Sequence, residues 1–109
     1  MAITYKVLGQ SAPSATTNTD VYTVGSGKQT TISTITVCNR SATSATYRIA
    51  VRPNAATLAN EHYIAYDAPI GSNDSVTWTI GMTCDAADVV TVYASTANLS
   101  VNIFGAEIA

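Results

Sequence analysis

Along much of the chain, apolar and polar residues alternate one by one, the repeat of a strand with a single buried face. In Ala45–Arg52, the residues Ala45, Tyr47, Ile49 and Val51 share one face, and Thr46, Arg48, Ala50 and Arg52 share the other. Val76, Trp78 and Ile80 alternate with Thr77 and Thr79 in Ser75–Gly81. Leu99, Val101 and Ile103 alternate with Ser100 and Asn102 in Asn98–Phe104. Further strands are predicted over Ile3–Leu8, Val21–Val24, Gln29–Asn39, Glu61–Asp67 and Asp88–Ser95.

Turn formers fill the gaps: Gly25-Ser26-Gly27, Asn39–Ser44, Pro53-Asn54, Gly71–Asp74 and Thr83–Ala87. Abundant Thr and Val oppose helix, because a branched Cβ suits a pleated surface. Only Ala55–Ala59 reads as one helical turn. About eight antiparallel strands without helices between them predict an all-β fold, a single β-sandwich. Ig-like and jelly-roll-like strand orders both fit. The domain spans 1–109. Ser11–Asp20 has no apolar period. Residues 1–19 therefore read either as an edge strand plus loop or as an N-terminal arm that adds a strand to a neighbouring subunit.

A chain of 109 residues supports one core. Hydrophobic residues are 47%, which argues against disorder. Charged residues are 11%, against roughly a quarter in an average domain. Thr, Ser, Asn and Ala take their place and give a neutral polar surface. Five basic residues and a net charge of −2 give no footprint for nucleic acid. No apolar run approaches the ~20 residues of a membrane span. MAITYKVLGQ lacks the basic and apolar regions of a secretory signal, so the expectation is synthesis in a cytoplasm.

That compartment favours free thiols at Cys38 and Cys84, with one disulfide as the alternative. Cys38 reads as a small buried hydrophobe. The triplets at Asn39, Asn73 and Asn98 then read as accidents of composition, not glycan sites.

Catalytic chemistry finds few candidates. The one histidine, His62, shares the Ile64/Tyr66 face if its segment is a strand, and reads as partly buried and hydrogen-bonded. No serine sits in a G-x-S-x-G elbow, and neither cysteine has an activating partner. Asp85 and Asp88 read as solvated turn carboxylates. The expectation is a protein that is not an enzyme, with no catalytic, cofactor or metal site.

Positive charge is the exception to this neutrality. Arg48 and Arg52 project from one strand face and Arg40 precedes that strand. They read either as a solvated face or as an interface patch, since Arg pairs bidentately with carboxylates. Uncharged, Thr-rich strands are weakly protected against edge pairing, which suits a domain that assembles. Six tyrosines and one tryptophan suit an interface as well.

The chain resembles a group of small virion proteins of tailed bacteriophages, especially phages of cyanobacteria. The similarity runs through MAITYKVLGQSAP, VYTVGSGKQTTISTITVCNRSATSATYRIAVRP, HYIAYDAPI and DVVTVYASTANLSVNIFGAEI. One departure is Cys84 in GMTCDAAD, where a hydrophobic residue such as Leu is expected. The resemblance implies a virion structural protein, most readily a capsid cement or decoration subunit. Its partners would be copies of itself, as a homotrimer, and the major capsid protein or other virion subunits. It equally admits a tail, baseplate or fibre subunit that binds host-surface glycans, with Tyr22, Tyr63 or Tyr93 as the stacking ring.

Overall fold

The computed structural model describes residues 2–109. Among these, nine strands form: β1 (Ile3–Ser11), β2 (Thr19–Thr23), β3 (Gln29–Asn39), β4 (Ala45–Arg52), β5 (Tyr63–Ile70), β6 (Ser75–Trp78), β7 (Met82–Cys84), β8 (Val89–Ala94) and β9 (Leu99–Ile108). Single 3-10 turns at Pro53–Ala55 and Asn60–His62 lead from β4 into β5.

The strands make two antiparallel sheets. The first runs β1-β9-β3-β6, with β7 also on β3, and the second runs β2-β8-β4-β5. Most connections cross from one sheet to the other, and this order is that of a jelly roll. It decides between the two topologies that the strand pattern left open. β1 pairs along its length with β9 of its own chain, Ile3 opposite Ile108 and Ser11 opposite Val101. Residues 3–11 are therefore an edge strand here, followed by the connection 12–18.

The inner faces interdigitate as the alternation requires. Ile32, Ile35, Val37, Ile49, Leu99 and Ile103 are fully buried. Each such side chain contributes about 1.5–3 kcal/mol of transfer free energy. Trp78 Nε1 donates to the Tyr47 hydroxyl across the core at 2.8 Å. Asn39 is also buried; its amide donates to the carbonyls of Thr43 and Gly71, and its Oδ1 accepts from Ser41. It pins two loops together.

Four sequence expectations are corrected. Glu61 and His62 lie in a 3-10 turn, not in a strand, and the buried His62 Nδ1 accepts the Ala59 N–H at 3.0 Å. β6 stops at Trp78, and Ile80 is exposed beside Gly81, whose φ is +58°. β7 was hidden, because three residues are too few to show a period. Cys38 points outward and is partly exposed, while Cys84 is the buried thiol.

At one end of the sandwich a polar cluster joins the sheets. Glu107 Oε1 pairs with Lys6 Nζ of β1 at 2.7 Å, and Lys28 lies 3.9 Å away. Its Oε2 accepts from the Tyr22 hydroxyl of β2 at 2.7 Å, and that oxygen lies 2.7 Å from the Thr30 hydroxyl of β3. The hydrogen bonds from Lys6 and Tyr22 hold the Glu107 carboxyl below its ordinary 4.5. Burial, aided by Glu107, pushes the Tyr22 phenol up to about 12.

A carboxyl lowered in the folded state adds stability above its unfolded value and loses it as pH falls through the native one. Stability supplied by Glu107 is therefore complete above about pH 4.5 and fades below it. Glu107→Gln should flatten the acid limb of a stability–pH curve measured by urea unfolding. Tyr22→Phe, which takes a donor from Glu107, should cost roughly 1–3 kcal/mol at pH 7. An unchanged acid limb in Glu107→Gln would assign the acid sensitivity to other carboxylates.

Candidate functional sites on the two outer faces

The outer face of the first sheet is built from every second residue of β1, β9 and β3. The opposed pairs Ile3–Ile108, Tyr5–Ala106 and Val7–Phe104 lie on β1 and β9. Thr31, Thr34 and Thr36 of β3 flank β9 on its other side, and Thr77 and Thr83 follow on β6 and β7. The apolar end is open to solvent: Tyr5 is 83% exposed, and Ile3, Val7 and Phe104 are exposed too. A shallow trough of about 540 Å³ runs between Tyr5, Val7, Phe104 and Thr31. Among the described residues no outward strand position of this face carries a charge; Lys6 also borders the trough, with its ammonium paired to Glu107.

Its shape depends on Gly105. β1 slips register between Val7 and Gly9, and β3 slips between Ile32 and Thr34, both beside this glycine. A Cβ at 105 would collide with the Thr31 carbonyl oxygen and the Leu8 side chain. Glycine lets three strands close up where two of them bulge.

Among the described residues, the charged side chains on the strands of the second sheet stand in pairs, Arg48 with Asp67 and Arg52 with Asp20. Arg48 Nε donates to Asp67 Oδ1 at 2.7 Å, and this hydrogen bond holds the guanidinium firmly in its charged form. The same guanidinium lies 4.2 Å from the ring centroids of both Tyr66 and Tyr93. Tyr66 meets Tyr63 edge to face, 4.9 Å between centroids. A bulge makes this cluster. Tyr47 pairs with Ala68 and Ile49 with Ala65, so two residues of β5, Tyr66 and Asp67, oppose Arg48 alone. Asp67 takes φ +49°, and both side chains reach the arginine.

The three arginines singled out by the sequence differ in their surroundings. Arg48 and Arg52 share the outer face of β4. Arg52 is saturated: it donates to Thr91 Oγ1, the Ala56 carbonyl and both oxygens of Asp20, each at 3.0 Å. It ties β4 to β8, β2 and the 3-10 segment. Arg40 stands in the loop after β3 and donates to the Ala97 carbonyl at 2.9 Å. Only Arg48 stands among aromatic rings.

Of the candidate stacking rings, Tyr22 is inside the sandwich, whereas Tyr63 and Tyr93 belong to the Arg48 cluster. Tyr66, the most exposed of that group at 57%, escaped the sequence reading. Asp88 spends its oxygens on the N–H groups of Asn54 and Asp85.

No protein-family model matches the chain, and neither a curated protein nor a solved structure is found that resembles it.

The two thiols face opposite sides of the first sheet, so they cannot meet in a disulfide in this fold. Burial, with Asp88 nearby, pushes the Cys84 thiol up. A thiol reagent such as Ellman's should label Cys38 at least about ten times faster than Cys84 in the native protein. Equal rates would show that the β7 edge opens as readily as the surface.

Proposed function

We propose that this chain is a non-enzymatic structural subunit of a tailed-phage virion, a cement or decoration protein that stabilises the head through subunit contacts. The observation that carries the reading is the uncharged outer face of the first sheet, with Tyr5 and its apolar neighbours in solvent. A soluble monomer gains nothing from that arrangement, and an assembling subunit uses it as an interface core. The resemblance to small phage virion proteins supplies the setting: assembly in the host cytoplasm, and residence in the virion.

The area is adequate. β1, β9 and β3, about 4.8 Å apart and about 33 Å long, present roughly 600 Å² together with the shorter row of β6 and β7. Two such faces in contact bury about 1,200 Å², the lower end of stable interfaces. β1 adds to this. It is a long edge strand without proline, and among the described residues its ladder partner is β9 alone. β5, an edge of the second sheet, is blunted by Pro69 and by its bulge. Association is thus directed to the β1 side, with copies of the chain and with the capsid shell as partners.

Light scattering on a sizing column should give a trimer for the wild-type chain. Tyr5→Lys puts a charge into the apolar end of the face and should weaken self-association at least about tenfold, while thermal unfolding stays close to wild type. A hexamer or larger ring would move the reading to a tail or baseplate position. A wild-type monomer that also fails to bind phage heads would overturn it.

A further inference from the structure

The Arg48 cluster lies on the outer face of the second sheet, away from the proposed assembly face, and asks for a separate account. We propose that Tyr66, Tyr63, Asn60, Arg48 and Asp67 form a binding site for a neutral pyranose sugar. This inference is independent of the assembly reading, since it uses the other sheet.

The first observation is local geometry that the fold does not need. A regular β5 would send Tyr66 and Asp67 to opposite faces. The bulge, with Asp67 at φ +49°, brings both to the same arginine. Such a conformation costs of order 1–3 kcal/mol and is common where a side chain must be re-aimed at a site.

The second observation is the chemistry that results. A pyranose has an apolar C–H face and a rim of hydroxyls, so it needs a flat ring to lie on and polar groups at that ring's edge. Tyr66 is 57% exposed. Arg48 lies over the ring and Tyr63 meets it edge to face, which fixes its orientation. A pocket of about 270 Å³ opens beside it, lined by Asn60, Tyr63 and Tyr66. This suits one sugar ring at the surface, being just below the span of enclosed small-molecule sites.

The polar partners still have capacity. Arg48 uses Nε and Nη2 on Asp67, and among the described residues Nη1 has no partner. The Asp67 oxygens each keep a lone pair, and the Asn60 amide is uncommitted among the described residues. Together they offer donors and acceptors side by side, the pairing that adjacent sugar hydroxyls require. Arg48 and Asp67 cancel in charge, which favours a neutral sugar over an acidic one.

The test uses the full chain. Methyl pyranosides of glucose, galactose, mannose and N-acetylglucosamine, each at about 20 mM, are examined by saturation-transfer NMR and titrated by chemical shift. At least one should receive saturation on its ring protons and shift the Tyr63 and Tyr66 ring signals. Tyr66→Ala should weaken its binding about tenfold or more, Tyr66→Trp should keep it, and Tyr5→Ala on the other sheet should leave it unchanged. Thermal unfolding of Tyr66→Ala within a few degrees of wild type keeps that comparison valid, and if it unfolds, the shift map in the wild-type chain decides. The proposal is overturned by any of three results: no transfer to these sugars, transfer that survives Tyr66→Ala in a folded protein, or preferential binding of glucuronate that salt abolishes.

Discussion

Glu107 is the point at which the two sheets are held to one another through their edge strands β1 and β2. Its carboxylate sits on β9, takes a proton-rich neighbour from β1 and a phenol from β2 in the opposite sheet, and stands beside Lys28. Apolar packing drives the sheets together and sets the register of strands with a buried apolar face. β1, however, turns Thr4 and Lys6 inward opposite Glu107 and Gly105 and needs another anchor. A charged group with two short hydrogen bonds to different strands supplies it. Moving β1 by one residue would carry Lys6 to the outer face and Tyr5 inward. The register of the edge strand, and the composition of the face it displays, follow from that anchor.

The same economy of charge shapes the exterior. Acidic and basic side chains are few, and the fold spends them locally: Lys6 on Glu107, Arg52 on Asp20, Arg48 on Asp67. The two arginine pairs, whose carboxylates stand in solvent, add little stability each. Their effect is distribution. One outer face is left without charge, and the other has charge only where it is matched. A two-layer fold with two chemically different exteriors has a direction.

How much of this could be read from the chain depended on how regular each strand is. The bounds of β3 and β4 were legible to the residue from the turn formers around them. The alternation of Ala45–Ile49 gave the faces of β4, whereas the faces of β3 change phase at the slip between Ile32 and Thr34. β5 was not legible, since register slips at Ile64 and at Tyr66 place Tyr63 and Tyr66 on one face although they are three apart. Period-two reasoning assigns them to opposite sides. The outward face of Arg48 was legible for the same reason that β4 was, but its partners were not, because they sit on the bulge. Tyr5 was hidden differently. Ile3–Leu8 reads as an edge strand or an arm, and only the register on β9 reveals that its apolar side lies in water.

The shortest dimension of the molecule is 20 Å, and the two exteriors look in opposite directions along the stacking of the sheets. A subunit lying on its uncharged face therefore lifts the Tyr66 ring to the far surface, clear of whatever it rests on. A shallow one-ring site has weak affinity by itself. Repeated at fixed spacing over a large particle, many such rings act at high effective concentration on any surface that is itself repetitive. Grip would then be a property of the array, sensitive to the spacing between subunits and lost when the subunits are set free.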